Sequence, residues 1–149
     1  MTIQTLHDEM VIAWKAKNKF RKDTLAELIG AVKKAGIDAK VKDNIPESLV
    51  DSVLLKEKKL TQEMIDTCPA ARTDALQEYQ NRMTIINEFA PKLLEDPDEI
   101  RAIVVATLNA NNIEPIKTNK GAVMKLISSD LKGKADMRQV NMVVSNLLV

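Results

Sequence analysis

Aromatic residues are scarce in this sequence: one Trp, one Tyr and two Phe among 149 residues. A core made from it has to be aliphatic, with its seven methionines filling gaps. Cysteine is scarcer still. Cys68 stands alone, so no intramolecular disulfide can form, and a reducing, cytoplasmic address is expected. Glycine occupies only four positions, which leaves few tight β-turns. His7 is the only histidine, and neither CxxC nor HExxH occurs. No metal site and no cofactor are therefore expected. No apolar run approaches the ~20 residues of a membrane span, and no stretch near Met1 has the form of a signal peptide, so no membrane partner is expected. The formal charge of +1 excludes a uniformly basic nucleic-acid binder but leaves room for a local basic patch.

The usual catalytic constellations are missing too. There is no Walker-type phosphate loop and no dinucleotide fingerprint. Ser128-Ser129 lacks the glycine-rich loop and buried lysine of an amidase-type serine site, and reads as polar helix surface. Carboxylate pairs such as Asp8/Glu9 and Asp98/Glu99 sit in first helical turns, where the helix dipole accounts for them. His7, near a helix start, has no partner for acid–base work and reads as an exposed surface residue. No catalytic residue is assigned.

What the chain does have is helical periodicity almost throughout. Residues 5–17 carry Leu6, Met10 and Ala13 on one stripe, with Val11 and Trp14 beside it. Asn18 is placed to cap a second helix over residues 19–35, with Leu25, Leu28, Ile29 and Val32 inward and Gly36 as its stop. Pro46 opens a third helix to Thr67 with a stripe of Leu49, Val53, Leu60 and Met64. The run Lys56-Glu57-Lys58-Lys59 within it reads as a solvated face. A fourth helix follows Arg72, with Leu76, Tyr79, Met83, Ile86 and Ala90 inward, and ends at Pro91. Asp96-Pro97 starts a fifth, carrying Ile100, Ile103, Val104, Thr107 and Leu108. The expected fold is all-α: a four-helix N-terminal domain over residues 1–94, then a smaller three-helix domain over 95–149.

Two short helices close the chain around a polar connector, Lys132-Gly133-Lys134-Ala135-Asp136. Gly133 suits the left-handed residue after a helix. Asp136 suits the next N-cap, with Gln139 as a capping-box partner. Ile127, Leu131, Val140, Val144 and Leu147 are expected in one core with Ile103 and Leu108. Residues 115–149 hold six cationic and two acidic side chains, a surplus of +4 against +1 for the whole chain, so the remainder is −3. Lys120, Lys125, Lys132, Gly133, Lys134 and Arg138 are the candidate nucleic-acid-binding residues. Asp136 argues the other way, because a capping carboxylate occupies the amides a phosphate would use. Structural connector and phosphate contact both stay open as readings of this turn.

The same residues carry a family resemblance. Lys120-Gly121-Ala122-Val123-Met124, the connector from Lys132 to Asp136, Val140-Asn141 and Leu147-Leu148 resemble the C-terminal signature of the GatB/YqeY family. Upstream, Lys15-Ala16-Lys17-Asn18-Lys19 and Phe89-Ala90-Pro91-Lys92-Leu93-Leu94 resemble runs in its stand-alone members, so the likeness spans nearly the whole chain. Asn119, Ala122 and Met137 depart from the commoner Asp, Lys and Gly. The resemblance implies a YqeY-like accessory module similar to the tail domain of the GatB subunit of tRNA-dependent amidotransferase. Its implied partners are tRNA and an amidotransferase or another protein. Glutamine-dependent amide transfer, to which the family is linked, would reside in catalytic parts not evident here. The alternative is a helical protein–protein interaction module that does not bind RNA.

Overall fold

Short polar side chains begin most of the helices in the computed structural model, which describes residues 1–131 and 133–149. Thr2 Oγ1 accepts from the Thr5 N–H at 3.1 Å, ahead of α1 (Ile3–Lys15). Asn18 Oδ1 accepts from Arg21 N–H at 3.1 Å, ahead of α2 (Lys19–Asp38). α3 (Glu47–Thr67) starts after Pro46, and α4 (Thr73–Phe89) runs to the residue before Ala90-Pro91. Asp96 caps α5 (Pro97–Ala110) through the Asp98 N–H at 2.9 Å, with Pro97 in the first helical position. A 3-10 turn, Lys117–Asn119, leads into α6 (Lys120–Leu131), and α7 (Met137–Leu147) ends the fold. The protein is all-α: seven α-helices and no strand among the described residues.

The contacts fall into two units, Met1–Pro91 and Lys92–Val149. In the first, α1 packs on α2, α3 packs on α4, and α2 also touches both α3 and α4. Leu6, Leu25, Leu28, Val32, Val50, Leu54 and Ile86 are fully buried at its centre. Several inward faces differ from the sequence reading. In α3 the buried stripe is Val50, Val53, Leu54 and Thr61, while Leu60 and Met64 face out. The face is rotated by about one residue, because α2 and α4 choose which of two adjacent apolar positions they cover. Val11 and Trp14, beside the inward stripe of α1, are exposed. His7 is half-buried rather than exposed. Gly36 does not stop α2. It is buried, and a Cβ there would lie 2.9 Å from the Ile45 side chain, so its role is close packing. Lys40, with φ 60°, takes the left-handed position instead, and the Val41 N–H closes onto the Gly36 carbonyl at 2.8 Å.

Two arginines tie this unit together. Arg21 on α2 pairs with Glu88 at 2.8 Å and Glu9 at 3.1 Å, and its guanidinium lies 5.5 Å from the centre of the Phe89 ring. The hydrogen bond that Arg21 donates to the Glu88 carboxylate is the main cause raising its pKa; burial opposes this. Arg82 on α4 pairs with Glu27 of α2 and Glu57 of α3, and donates to Thr61 Oγ1 at 3.3 Å. Glu57 is therefore turned toward Arg82, while its neighbours Lys56 and Lys59 keep to solvent.

In the second unit α5 packs on α6 and α7, and α6 on α7. Ile100, Val104, Leu108, Val123, Ile127, Leu131, Val140 and Val144 form its core. Ile103 is exposed and Leu147 only half-buried; Leu148, just past the end of α7, is buried in its place. There the chain leaves the helix and turns extended, with ψ 129° at Leu148. Leu94, ahead of α5, pairs with Ala135 in the turn after α6.

Candidate nucleic-acid interface

The turn between α6 and α7 is shaped by its backbone. Gly133 has φ 78°, a left-handed conformation that costs glycine little. Behind it the Lys134 and Ala135 N–H groups both donate to the Leu131 carbonyl, at 2.9 and 3.0 Å. Asp136 then caps α7 by accepting from the Arg138 N–H at 2.9 Å. Gln139 does not complete a capping box. The Asp136 N–H is already bonded to the Leu94 carbonyl at 3.1 Å, so a tertiary partner has replaced the local one.

Gly133, Lys134 and Arg138 are all exposed at this turn. Lys132 lies outside the described residues. Lys125 is exposed midway along α6. Lys120 stands at the far end of that helix, about 16 Å from the turn at 1.5 Å per residue. Its Nζ is 2.9 Å from Ser145 Oγ, which ties the start of α6 to the end of α7. The structure thus groups Gly133, Lys134 and Arg138 and sets Lys120 apart. The Asp136 carboxylate faces α7's first amides, so a phosphate at this turn would meet side-chain cations rather than free N–H groups.

The other candidates from the sequence stay separate. Ser128 is half-buried and Ser129 exposed on α6. Cys68 Sγ lies 3.8 Å from the carbonyls of Pro69 and Arg72, a weak contact at a helix end. His7 borders a cavity of about 360 Å³ with Lys33, Lys42 and three isoleucines. Among the described residues no group of three His, Cys, Asp or Glu is placed to hold a metal. No helix there is long and apolar enough to cross a membrane.

The sequence reading missed two features of the first unit. One is a cavity of about 500 Å³ lined by Phe20, Thr24, Glu27, Glu78, Tyr79 and Arg82, among others. No local pattern marks it, since its walls come from three helices. The other is the tip between α1 and α2, where Trp14 is 66% exposed among lysines. That one had a signal: the chain's single tryptophan stands inside Trp14-Lys15-Ala16-Lys17-Asn18-Lys19.

The family model described as Yqey-like protein matches residues 3–148. Comparison with curated proteins returned no match.

Proposed function

Because this chain belongs to the Yqey-like protein family, we propose that it is an accessory module which holds tRNA through the α6–α7 turn. In this reading it serves tRNA-dependent amide transfer without a catalytic site of its own. Residues 1–94 and 95–149 act as two domains, the second similar to the GatB tail and presenting the cationic surface. The observation that carries the reading is charge segregation: residues 115–149 hold a surplus of +4 in a chain whose total is +1. The exposure of Lys125, Lys134 and Arg138 supports it. No aromatic residue lies in this stretch, so the contact reads phosphates and shape rather than bases.

The test is tRNA binding by the full chain at two salt concentrations, wild type against the combined Lys132→Gln, Lys134→Gln and Arg138→Gln variant. The variant should bind more weakly and depend less on salt. Absence of binding by the wild type at low salt would refute direct tRNA holding by the isolated protein.

A second reading is docking to a protein partner without RNA. It is favoured by apolar side chains that the second unit leaves exposed, among them Met142 at 57% and Ile116 at 39%. Under it, Met142→Ser would abolish partner binding while the charge variant would leave it intact.

A further inference from the structure

The tip between α1 and α2 has a composition that folding does not require. Trp14 is the chain's only tryptophan and is 66% exposed, although a large ring gains most by burial. Trp14, Lys17, Asn18, Lys19 and Lys22 line one open concavity of about 250 Å³. None of the five is acidic. Lys22 is paired with Asp23 at 2.8 Å. Among the described residues Lys15, Lys17 and Lys19 have no carboxylate partner, and all three are exposed. Lys19 begins α2, whose first turn has no acidic residue. A cation there opposes the helix dipole, so helix stability does not explain it.

The tip is also held in shape. The Lys17 N–H donates to the Trp14 carbonyl at 3.0 Å, Asn18 N–H to Ala13 at 2.9 Å, and Lys19 N–H to Lys17 at 3.1 Å. Asn18 Oδ1 caps α2. The backbone that carries the ring and the lysines is thus bonded in one arrangement before any ligand arrives, which lowers the ordering cost of binding.

From this geometry we infer that the α1–α2 tip is a binding site for single-stranded nucleic acid. One base stacks on the Trp14 indole, and the flanking phosphates are held by Lys17 and Lys19, with Lys15 beside them. The two halves of a nucleotide, an apolar π-face and an anion, match the two kinds of side chain in the concavity. A membrane surface fits less well. A helix lying in the interface needs a continuous apolar face; α1 exposes Val11 and Ile12 as well as Trp14, but Gln4, Thr5, Asp8 and Lys15 are exposed with them and break that face, and Trp14 is the one apolar residue lining the concavity. The site lies in the first unit and uses stacking, so it stands apart from the proposed tRNA contact at the α6–α7 turn.

The experiment is titration of the full chain with a short single-stranded uridine oligonucleotide. Trp14 is the only indole, so its fluorescence reports on the site directly. Saturable quenching that weakens with salt is the expected result. By anisotropy of a labelled oligonucleotide, Trp14→Ala should weaken binding by roughly 5- to 100-fold, and Trp14→Phe should restore part of the loss. Lys17→Gln with Lys19→Gln should lower the log–log salt slope by about 1.4. Circular dichroism should be unchanged, because these side chains are exposed. The charge variant at the α6–α7 turn should quench as the wild type does, which separates the two sites. The inference is overturned if the wild type shows no quenching at low salt, or if Trp14→Ala binds as tightly as wild type. Equal affinity for free uridine monophosphate would also overturn it, as that result assigns a mononucleotide site. So would a blue-shifted Trp14 emission on anionic vesicles without oligonucleotide binding, the mark of a membrane contact.

Discussion

Leu94 and Ala135 face each other in an isolated parallel bridge, which joins the segment ahead of α5 to the turn after α6. The Leu94 N–H donates to the Lys134 carbonyl at 2.9 Å, and the Leu94 carbonyl accepts from Asp136 N–H at 3.1 Å. The turn that carries Lys134 and Arg138 is therefore held from outside as well as by its own helices. Leu94→Pro removes the donor of the first bond. It should cost about 1–2 kcal/mol in chemical denaturation, and amide exchange at Asp136 should quicken.

Leu131 is buried in the core of α5, α6 and α7, at the point where α6 enters the turn. Leu131→Ala should cost about 2–5 kcal/mol, as deletion of a buried leucine does. Urea denaturation checks it. A loss below that range would mean that Met124 or Leu147, both packed against this core, moves in to fill the cavity.

Arg82 links α2, α3 and α4 through Glu27, Glu57 and Thr61. Arg82→Ala should destabilise the protein by about 1–3 kcal/mol, since Glu57 is only partly exposed and loses its cation. A double-mutant cycle with Glu57→Gln should give a coupling larger than one with the more exposed Glu27→Gln.

Gly36→Ala places a methyl 2.9 Å from the Ile45 side chain. Alanine favours the helix, but the side chain must shift to admit it, and the net effect should be a loss of about 1–3 kcal/mol. Thermal unfolding of the variant, alone and with Ile45→Val, checks the cause: the smaller partner should recover part of the loss.

For the tRNA contact, each phosphate-binding cation removed from a duplex-like site lowers the log–log salt slope by about 0.9. The combined change at Lys132, Lys134 and Arg138 should lower it by up to about 3 and leave the melting temperature unchanged. Binding isotherms at several salt concentrations measure it.

Local chemistry in the sequence determined where helices begin. Asn18, Asp96 and Asp136 cap because the groups they bond lie two or three residues ahead, and Gly133 is left-handed because only its own backbone has to allow it. The aliphatic periodicity likewise marked Leu108, Ile127, Leu131, Val140 and Val144 as one core, but it put Ile103 there where the fold buries Ile100 and Val104. Tertiary structure decided how each helix is turned about its axis. An apolar stripe is wide enough to leave neighbouring positions in competition, and packing partners chose Val50 over Leu49, and Leu148 over Leu147. It also decided the partners of charges. Arg82 and Glu27 lie 55 positions apart, beyond any window of local pattern. Gly36 reads as a helix stop until Ile45 is folded against it, and Trp14, beside the inward stripe of α1, is left exposed because α2 covers the other side of that helix. In each of these cases a surface distant in sequence supplied the deciding contact.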